Sequence, residues 1–418
     1  MRNRLTLSAV LATCALITAG PALAGAPTGQ THPQQPDQQR GLQSGQQREL
    51  HPEHTSGGEP GTFTPRLPAA GRATTTSQVS WDVAPGVTYT KFSQTDARGP
   101  IRAHLLTVDP RTPGLKVDYA SLRQVRSGST VTKLVSRDRA VAGVNGDFFD
   151  IGQTGAPLGL GRDRGRGLVH ARQQGWNNAF FIARNGKARI GPLPMTARVV
   201  RHPEVRVTNL NSPFVTPGGV GVYTPRWGRT AGYRATQGQR QQVRQVTVAG
   251  NGRVVQNRRK LSTDKQIRGL VLVGRGGGAA TLRRELPKGT RVEVTSSLPG
   301  NPRMAISGNV LLVNEGIIRV VDDRELHPRT AVGVDSDTGE VLLLVVDGRS
   351  SRSRGYTMVE LADLMVDLGA DEALNLDGGG SSTMVGRNRK GAFAVLNKPS
   401  DGQQRRVANA ISVRYRAP

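Results

Sequence analysis

The sequence predicts an α+β fold, with strand-rich mixed sheets and a few packed helices in a single large domain. Three observations carry that expectation. Short runs of β-branched and aromatic residues recur between Gly, Pro and Asn turn signals from Val87 to Val413. One strong helical pattern stands among them, and no fixed-period repeat appears. The 418 residues are ample for a sizeable core.

Residues 1–24 read as a secretory signal. Arg2 and Arg4 are positive, residues 5–17 are apolar, and Ala22-Leu23-Ala24 offers a small-residue site, so cleavage is expected after Ala24. The apolar run is shorter than the roughly 20 residues a membrane span needs. A lipoprotein reading on Leu11-Ala12-Thr13-Cys14 ranks lower, because apolar sequence continues past Cys14. The mature chain is thus expected to be secreted or associated with the cell envelope, without a transmembrane span. Residues 25–76 are rich in Gln, Pro, Gly, Thr and His and lack periodic hydrophobicity. Such a stretch buries too little apolar surface to offset ordering, which predicts a disordered linker before a domain at 77–418.

Within the domain, strands are expected at 87–90, 101–108 and 115–119, a short hydroxyl-capped helix at 129–135, and a strand at 140–144. Short strands follow at 180–182, 205–207, 219–223, 246–249 and 270–273. The glycine-rich run 273–278 lacks the Lys-Ser/Thr ending of a phosphate loop, and with no helix expected after it, it reads as a turn. Strands at 310–313, 330–334 and 341–346 come next. Thr357-Met358-Val359-Glu360 is a capping box, and Leu361, Leu364, Met365 and Leu368 repeat at helical spacing until Gly369. Glu360 is explained by that cap. A last strand is expected at 408–413.

The formal net charge is +26, mostly from arginine, since the chain has nine lysines. Residues 226–260 contain many basic residues and no Asp or Glu. An anionic cell-wall polymer is the natural counter-charge for a secreted protein, and a merely solvated basic face explains the charge equally well. Nucleic acid ranks last, because aromatics are few and no recognition motif appears. Cys14 is the only cysteine, so the mature chain is expected to hold no disulfide, thiol nucleophile or cysteine metal site. No cofactor is expected, and no spacing is diagnostic of a metal.

Four segments carry candidate chemistry. Asn375-Leu376-Asp377-Gly378-Gly379-Gly380-Ser381-Ser382 crowds a carboxylate, an amide and two hydroxyls around three glycines, which suit a sharp turn or close approach to a ligand. A serine-hydrolase reading fails there for want of Gly-x-Ser-x-Gly. Asn145-Gly146-Asp147-Phe148-Phe149 ends an apolar strand, and taken alone it reads as a tight turn. In His327-Pro328-Arg329-Thr330, Arg329 offers a fork suited to phosphate or carboxylate, and His327 titrates near neutrality. In Val345-Val346-Asp347-Gly348-Arg349, a carboxylate ends a buried strand, the usual place for functional groups in layered folds. Asp-Gly is equally a turn signal.

In this order the segments resemble the phosphodiester glycosidase family. The resemblance rests on Val144-Asn145-Gly146-Asp147-Phe148-Phe149, on Arg329-Thr330-Ala331-Val332-Gly333-Val334 with Val346-Asp347-Gly348-Arg349, and on the run 373–384; Gly355-Tyr356-Thr357, Glu360-Leu361-Ala362 and Arg406-Val407-Ala408-Asn409-Ala410 add to it. It extends over about residues 81–413 and is densest after His327. It implies hydrolysis of a sugar held through its anomeric carbon to a phosphodiester, N-acetylglucosamine in the family's lysosomal member. This chain lacks that member's cysteine-rich extension and membrane span, so an envelope polymer, glycolipid or related glycoconjugate is the expected substrate. On this reading Asp377 and Asp347 are the catalytic carboxyl pair and His327 a weaker proton carrier. Arg329 and Arg349 would stabilise the departing phosphate, while Asn145, Gly146, Thr330, Asn375 and the loop Gly378, Gly379, Gly380, Ser381 and Ser382 would hold substrate oxygens. The competing expectation is a non-catalytic basic module that binds anionic envelope glycans.

Overall fold

The computed structural model describes residues 55–65 and 73–418. The expected signal sequence, Cys14 and most of the expected linker lie outside the described residues. Strands dominate, as expected for a strand-rich α+β fold. Three α-helices are present among the described residues: α1 (Val131–Arg137), α2 (Gly277–Glu285) and α3 (Met358–Asp367).

Two sheets position the candidate site. The first has eight strands, and at its centre Gly99–Val108, Val341–Val346, Arg329–Val334 and Glu372–Leu376 lie side by side. Every neighbouring pair among these four is antiparallel, with Val346 opposite both Ala103 and Arg329 and Leu376 opposite Thr330. The carboxyl ends of Val341–Val346 and Glu372–Leu376 therefore emerge beside the start of Arg329–Val334. These strands read as continuous apolar runs because both faces are covered. Helix α3 packs one face, burying Leu361, Ala362 and Met365 with Leu342, Leu344 and Ala373.

The start and stop of α3 follow the sequence. Thr357 accepts a hydrogen bond from the Glu360 amide, the Glu360 carboxylate accepts from the Thr357 amide, and Gly369 (φ +94°) ends the run. Glu360 also pairs with Arg98 and Arg354, so its second task is to hold a surface network. Helix α1 begins after Thr130, whose side chain accepts from the Lys133 amide, which matches the expected hydroxyl cap.

The second sheet has five strands in the order Phe393–Val395, Met384–Arg387, Ala142–Asn145, Asn409–Tyr415 and Leu115–Ser121. Asn145 ends its strand opposite Ala410, and Met384 starts the neighbouring strand opposite Val144. Residues 377–383 thus cross from the first sheet to the second. A third, twelve-stranded sheet takes up most of the middle of the chain and packs its own core around Val207, Val246 and Leu272.

Two features depart from expectation. The run 273–278 is no turn: the strand Leu270–Arg275 leads into α2, which buries Ala279 and Leu282. Gly276 adopts φ +51°, and a Cβ on Gly278 would strike the Gly219 carbonyl. These glycines serve a close strand–helix packing that pattern reading cannot see. The second departure lies in the expected linker. Residues 74–76 already belong to the strand Thr74–Ala84, and residues 55–65 are held against the domain, with Thr62–Phe63 pairing with Glu325–Leu326. Polar and ionic bonds fix this stretch, so its hydrophobicity gave no signal.

Asn145 is fully buried and ties the sheets together. Its Nδ2 donates to the Asp377 carbonyl (2.6 Å), while its Oδ1 accepts from the Thr330 hydroxyl (2.9 Å) and the Thr383 amide (3.0 Å). Asn145→Ala strands three buried partners and is expected to lower stability by about 2–4 kcal/mol in urea unfolding. A loss below about 0.5 kcal/mol would show that the amide does not hold the sheets together.

Candidate functional site

The crossing loop begins at Asp377, whose amide donates to the Gly146 carbonyl (3.0 Å). Gly378 is extended, Gly379 adopts φ +57°, and Gly379–Ser381 form one 3₁₀ turn, with the Gly379 amide donating to the Pro328 carbonyl (2.9 Å). At Gly380 the glycine requirement is steric, since a Cβ there would overlap the Arg405 guanidinium and the Asp401 carboxylate. At Gly380 the missing side chain thus lets the loop lie directly against the Arg405 and Asp401 side chains.

Asp377 is 1% exposed. Neither of its carboxylate oxygens has a hydrogen-bond partner of ordinary geometry among the described residues. Burial pushes this carboxyl up to about 7, against the opposing influence of the Ser381 and Ser56 hydroxyls and the Arg405 charge. Asp147 is equally buried and also sits well above the usual carboxylate range, mainly because of burial and further because of the charge on Asp377. Its backbone amide donates to Asn409 Oδ1 (2.8 Å), and its Oδ2 accepts from the Gly159 amide (2.9 Å).

Arg349 and Arg405 converge on the Glu59 carboxylate. Arg349 Nη1 reaches Glu59 Oε2 (2.5 Å), and Arg405 Nη2 reaches Glu59 Oε1 (2.5 Å). Arg405 also pairs with Asp401 (2.9 Å). Burial would raise the Glu59 carboxyl, but the two guanidinium groups hold it below its usual value. The same segment places Ser56 at Phe149, with amide and hydroxyl bonds in both directions, and beside Asp377. An anionic side chain therefore rests on an arginine pair beside the buried Asp377 carboxyl group.

The structure sorts the expected residues. Asn145, Gly146, Thr330, Asp377, Gly378, Gly379, Gly380, Ser381 and Ser382 come together: the Thr330 hydroxyl lies 3.2 Å from Ser382 Oγ, and the Asn145 side chain spans the group. The Asn145-Gly146 pair does not form a hairpin turn, because its strand is held between Met384–Arg387 and Asn409–Tyr415. Asn375 is buried and donates to Asn309 Oδ1 (2.8 Å). Arg329 is buried with its guanidinium engaged by Asp323 (2.7 Å) and the carbonyls of Tyr356 and Glu325 (both 2.9 Å). It braces the approach to the loop. His327 lies 3.1 Å from Glu325 and 3.5 Å from Arg349, and burial, with the Arg329 and Arg349 charges, pushes it below its usual value. At Asp347, Oδ1 accepts from Asn397 Nδ2 (3.1 Å) and the Lys398 amide (3.0 Å), while Oδ2 lies 3.2 Å from His104 Nε2.

Sequence reasoning passed over Asp147, Arg405, Glu59 and Asn409. Asp147 stood inside a segment singled out for its asparagine, so its signal was in view. Arg405 was one arginine among many, and Glu59 lay in a stretch read as a tether.

Comparison with known proteins places residues 214–414 in a phosphodiester glycosidase family match. The SPbeta prophage-derived uncharacterized protein YomE of Bacillus subtilis is 38% identical over 89 residues, covering 21% of this chain and 13% of that protein. The N-acetylglucosamine-1-phosphodiester alpha-N-acetylglucosaminidase of Bos taurus is 43% identical over 60 residues, covering 14% of this chain and 11% of that protein. The chain thus matches only a small part of the length of these curated relatives. In fold, it resembles the crystal structure of a hypothetical protein from Synechocystis, with TM-score 0.66 and 20% identity over 84% of this chain and 69% of that one.

The Asp377 carboxyl makes stability depend on pH. It titrates near 7 when folded and near the ordinary 3.8 when unfolded, so between these values the folded chain binds more protons. Its stabilising contribution is fully present below about 4 and is lost as pH rises through about 7. Thermal unfolding temperatures are expected to fall over that window, and to fall less steeply in Asp377→Asn. Equal slopes in the two proteins would place the Asp377 carboxyl in water.

Proposed function

We propose, from the match of residues 214–414 to the phosphodiester glycosidase family, that this chain is a secreted hydrolase that cleaves a sugar-1-phosphodiester linkage in an envelope polymer, glycolipid or related glycoconjugate. The observation that carries the proposal is the seat of Glu59. Two guanidinium groups from separate loops bind one carboxylate through one contact each, next to a carboxyl group that burial holds partly protonated at neutral pH. A phosphodiester carries the same charge and has oxygens to span the same pair. On this reading the substrate phosphate takes the place of Glu59 on Arg349 and Arg405, and the sugar lies over the crossing loop.

As the C1–O bond breaks, charge gathers on the departing phosphate, and the arginine pair stabilises it where it forms. A phosphate leaves more readily than an alkoxide, so the departing oxygen needs little help from an acid, and the partly protonated Asp377 carboxyl takes part in moving the proton. Arg329 and His327 would act indirectly, by supporting Arg349 and the Pro328 carbonyl that anchors the loop. Residues 1–24, as a signal sequence, would bring the chain to substrates outside the cytoplasm.

The purified mature protein is expected to release free sugar from a panel of sugar-1-phosphodiesters, beginning with the N-acetylglucosamine derivative named for the bovine relative. Asp377→Asn should lower kcat by about a hundredfold or more. Undiminished turnover would remove Asp377 from the chemistry. Separately, Arg349→Ala and Arg405→Ala should each raise KM about tenfold or more, while Glu59→Gln lowers it. An unchanged KM in all three would remove the anion subsite.

The second reading, a basic module that binds anionic glycans without cleaving them, draws on the +26 charge and on Arg244, whose neighbours Arg259 and Arg283 repel it. It predicts retention on polyanionic polymer that is lost as salt rises, with no sugar released.

A further inference from the structure

We propose that Asp147 is the second carboxyl group of the reacting site, working with Asp377 as an acid–base pair, while Asp347 acts only by positioning. This deepens the glycosidase reading above and rests on it.

The geometry separates the two candidates. Asp347 has no free oxygen, since Asn397 Nδ2 and the Lys398 amide share Oδ1 and the His104 ring faces Oδ2. His104 is held in turn by the Tyr89 hydroxyl (2.7 Å). Asn397 also donates to the Ser382 carbonyl (3.1 Å) and accepts from the Met384 amide (2.8 Å). Asp347 therefore fixes the segment that follows into Asp401 and Arg405, and clamps the end of the crossing loop.

Asp147 differs on each count. Only Oδ2 receives a hydrogen bond of ordinary geometry, from Gly159, although the Ser307 hydroxyl and the Phe148 amide also favour the charged form. Oδ1 has no bond of ordinary geometry among the described residues, and neither oxygen of Asp377 has one, with the Ser381 and Ser56 hydroxyls nearby. Buried carboxyl oxygens so weakly satisfied are costly, and two of them on one frame mark a candidate for proton transfer. The two groups share one frame. The Asp377 amide binds the Gly146 carbonyl, the Asn145 side chain binds the Asp377 carbonyl, and Asn409 holds the Asp147 amide. The Asp377 charge opposes ionisation of Asp147, so the two carboxyl groups titrate as a coupled pair. Arg405, Glu59 and Asp147 face Asp377, and Asp377 and the Tyr119 hydroxyl face Asp147.

In the step, a water oxygen bonds to the anomeric carbon and the C1–O bond to phosphorus breaks. Its electron pair leaves on the phosphate oxygen toward Arg349 and Arg405. The proton released by water passes to the ionised member of the pair, and the products are free sugar and a phosphomonoester. The protonated member can hydrogen-bond the departing oxygen.

The test compares wild type, Asp147→Asn, Asp377→Asn and Asp347→Asn on a sugar-1-phosphodiester that wild type cleaves. Asp147→Asn is expected to lose kcat by at least a hundredfold, with KM within about threefold of wild type and a pH–rate profile missing one limb. Asp347→Asn is expected to unfold at lower temperature and to keep both limbs. Wild-type kcat and both limbs in Asp147→Asn would overturn the assignment, as would loss of a limb in Asp347→Asn. Should Asp147→Asn fail to fold, Asp147→Glu takes its place. It keeps the acid but moves it, and a kcat within threefold of wild type would likewise overturn the assignment. If wild type itself releases no sugar from any phosphodiester, the glycosidase reading fails first.

Discussion

The site depends on one constraint: the strand that carries Asp377 belongs to one sheet, and the strand that follows belongs to another. The chain must cross between them through a buried interior, where backbone groups cannot be left unpaired. Asn145 meets that need, with its amide donating to the Asp377 carbonyl and accepting from Thr330 and Thr383. Three glycines let the loop turn within the space left by Arg405 and Asp401. What results is a short loop that carries the buried Asp377 carboxyl and packs against the Arg405 and Asp401 side chains.

Burial then sets the chemistry. A carboxylate in water would be ionised at neutral pH, but enclosure lifts Asp377 to about 7, a value suited to moving protons under ordinary conditions. Arginines respond differently, because their charge persists almost regardless of environment. Arg349 and Arg405 therefore remain cationic and require an anion, which Glu59 supplies. A carboxyl group that tends to shed charge thus stands beside guanidinium groups that hold theirs, an arrangement that on the proposed reading suits a substrate with a neutral sugar at one end and a charged phosphate at the other.

Much of the fold was legible in the sequence, for local reasons. The cap and spacing of α3 sit within a dozen residues, and the central strands announce themselves as apolar runs. The crossing loop was legible too, since glycines crowded by polar side chains have few structural explanations. Partnership was the part that sequence could not convey. Arg329 and Arg349 look alike in sequence, yet Asp323 and two carbonyls engage the first while the second reaches Glu59 from far along the chain. Asp347 and Asp147 both follow apolar strands, and only their contacts separate them. Helix α2 was missed because its glycines serve backbone packing against Gly219, a contact set by the third sheet.

The most direct test of a single pocket is a crystal structure of the Asp377→Asn protein soaked with a sugar-1-phosphate. The phosphate is expected between Arg349 and Arg405, with Glu59 displaced and the anomeric carbon over residue 377. Phosphate bound instead among Arg244, Arg259 and Arg283, with Glu59 still seated on its arginine pair, would contradict the assignment of this loop as the place where substrate binds.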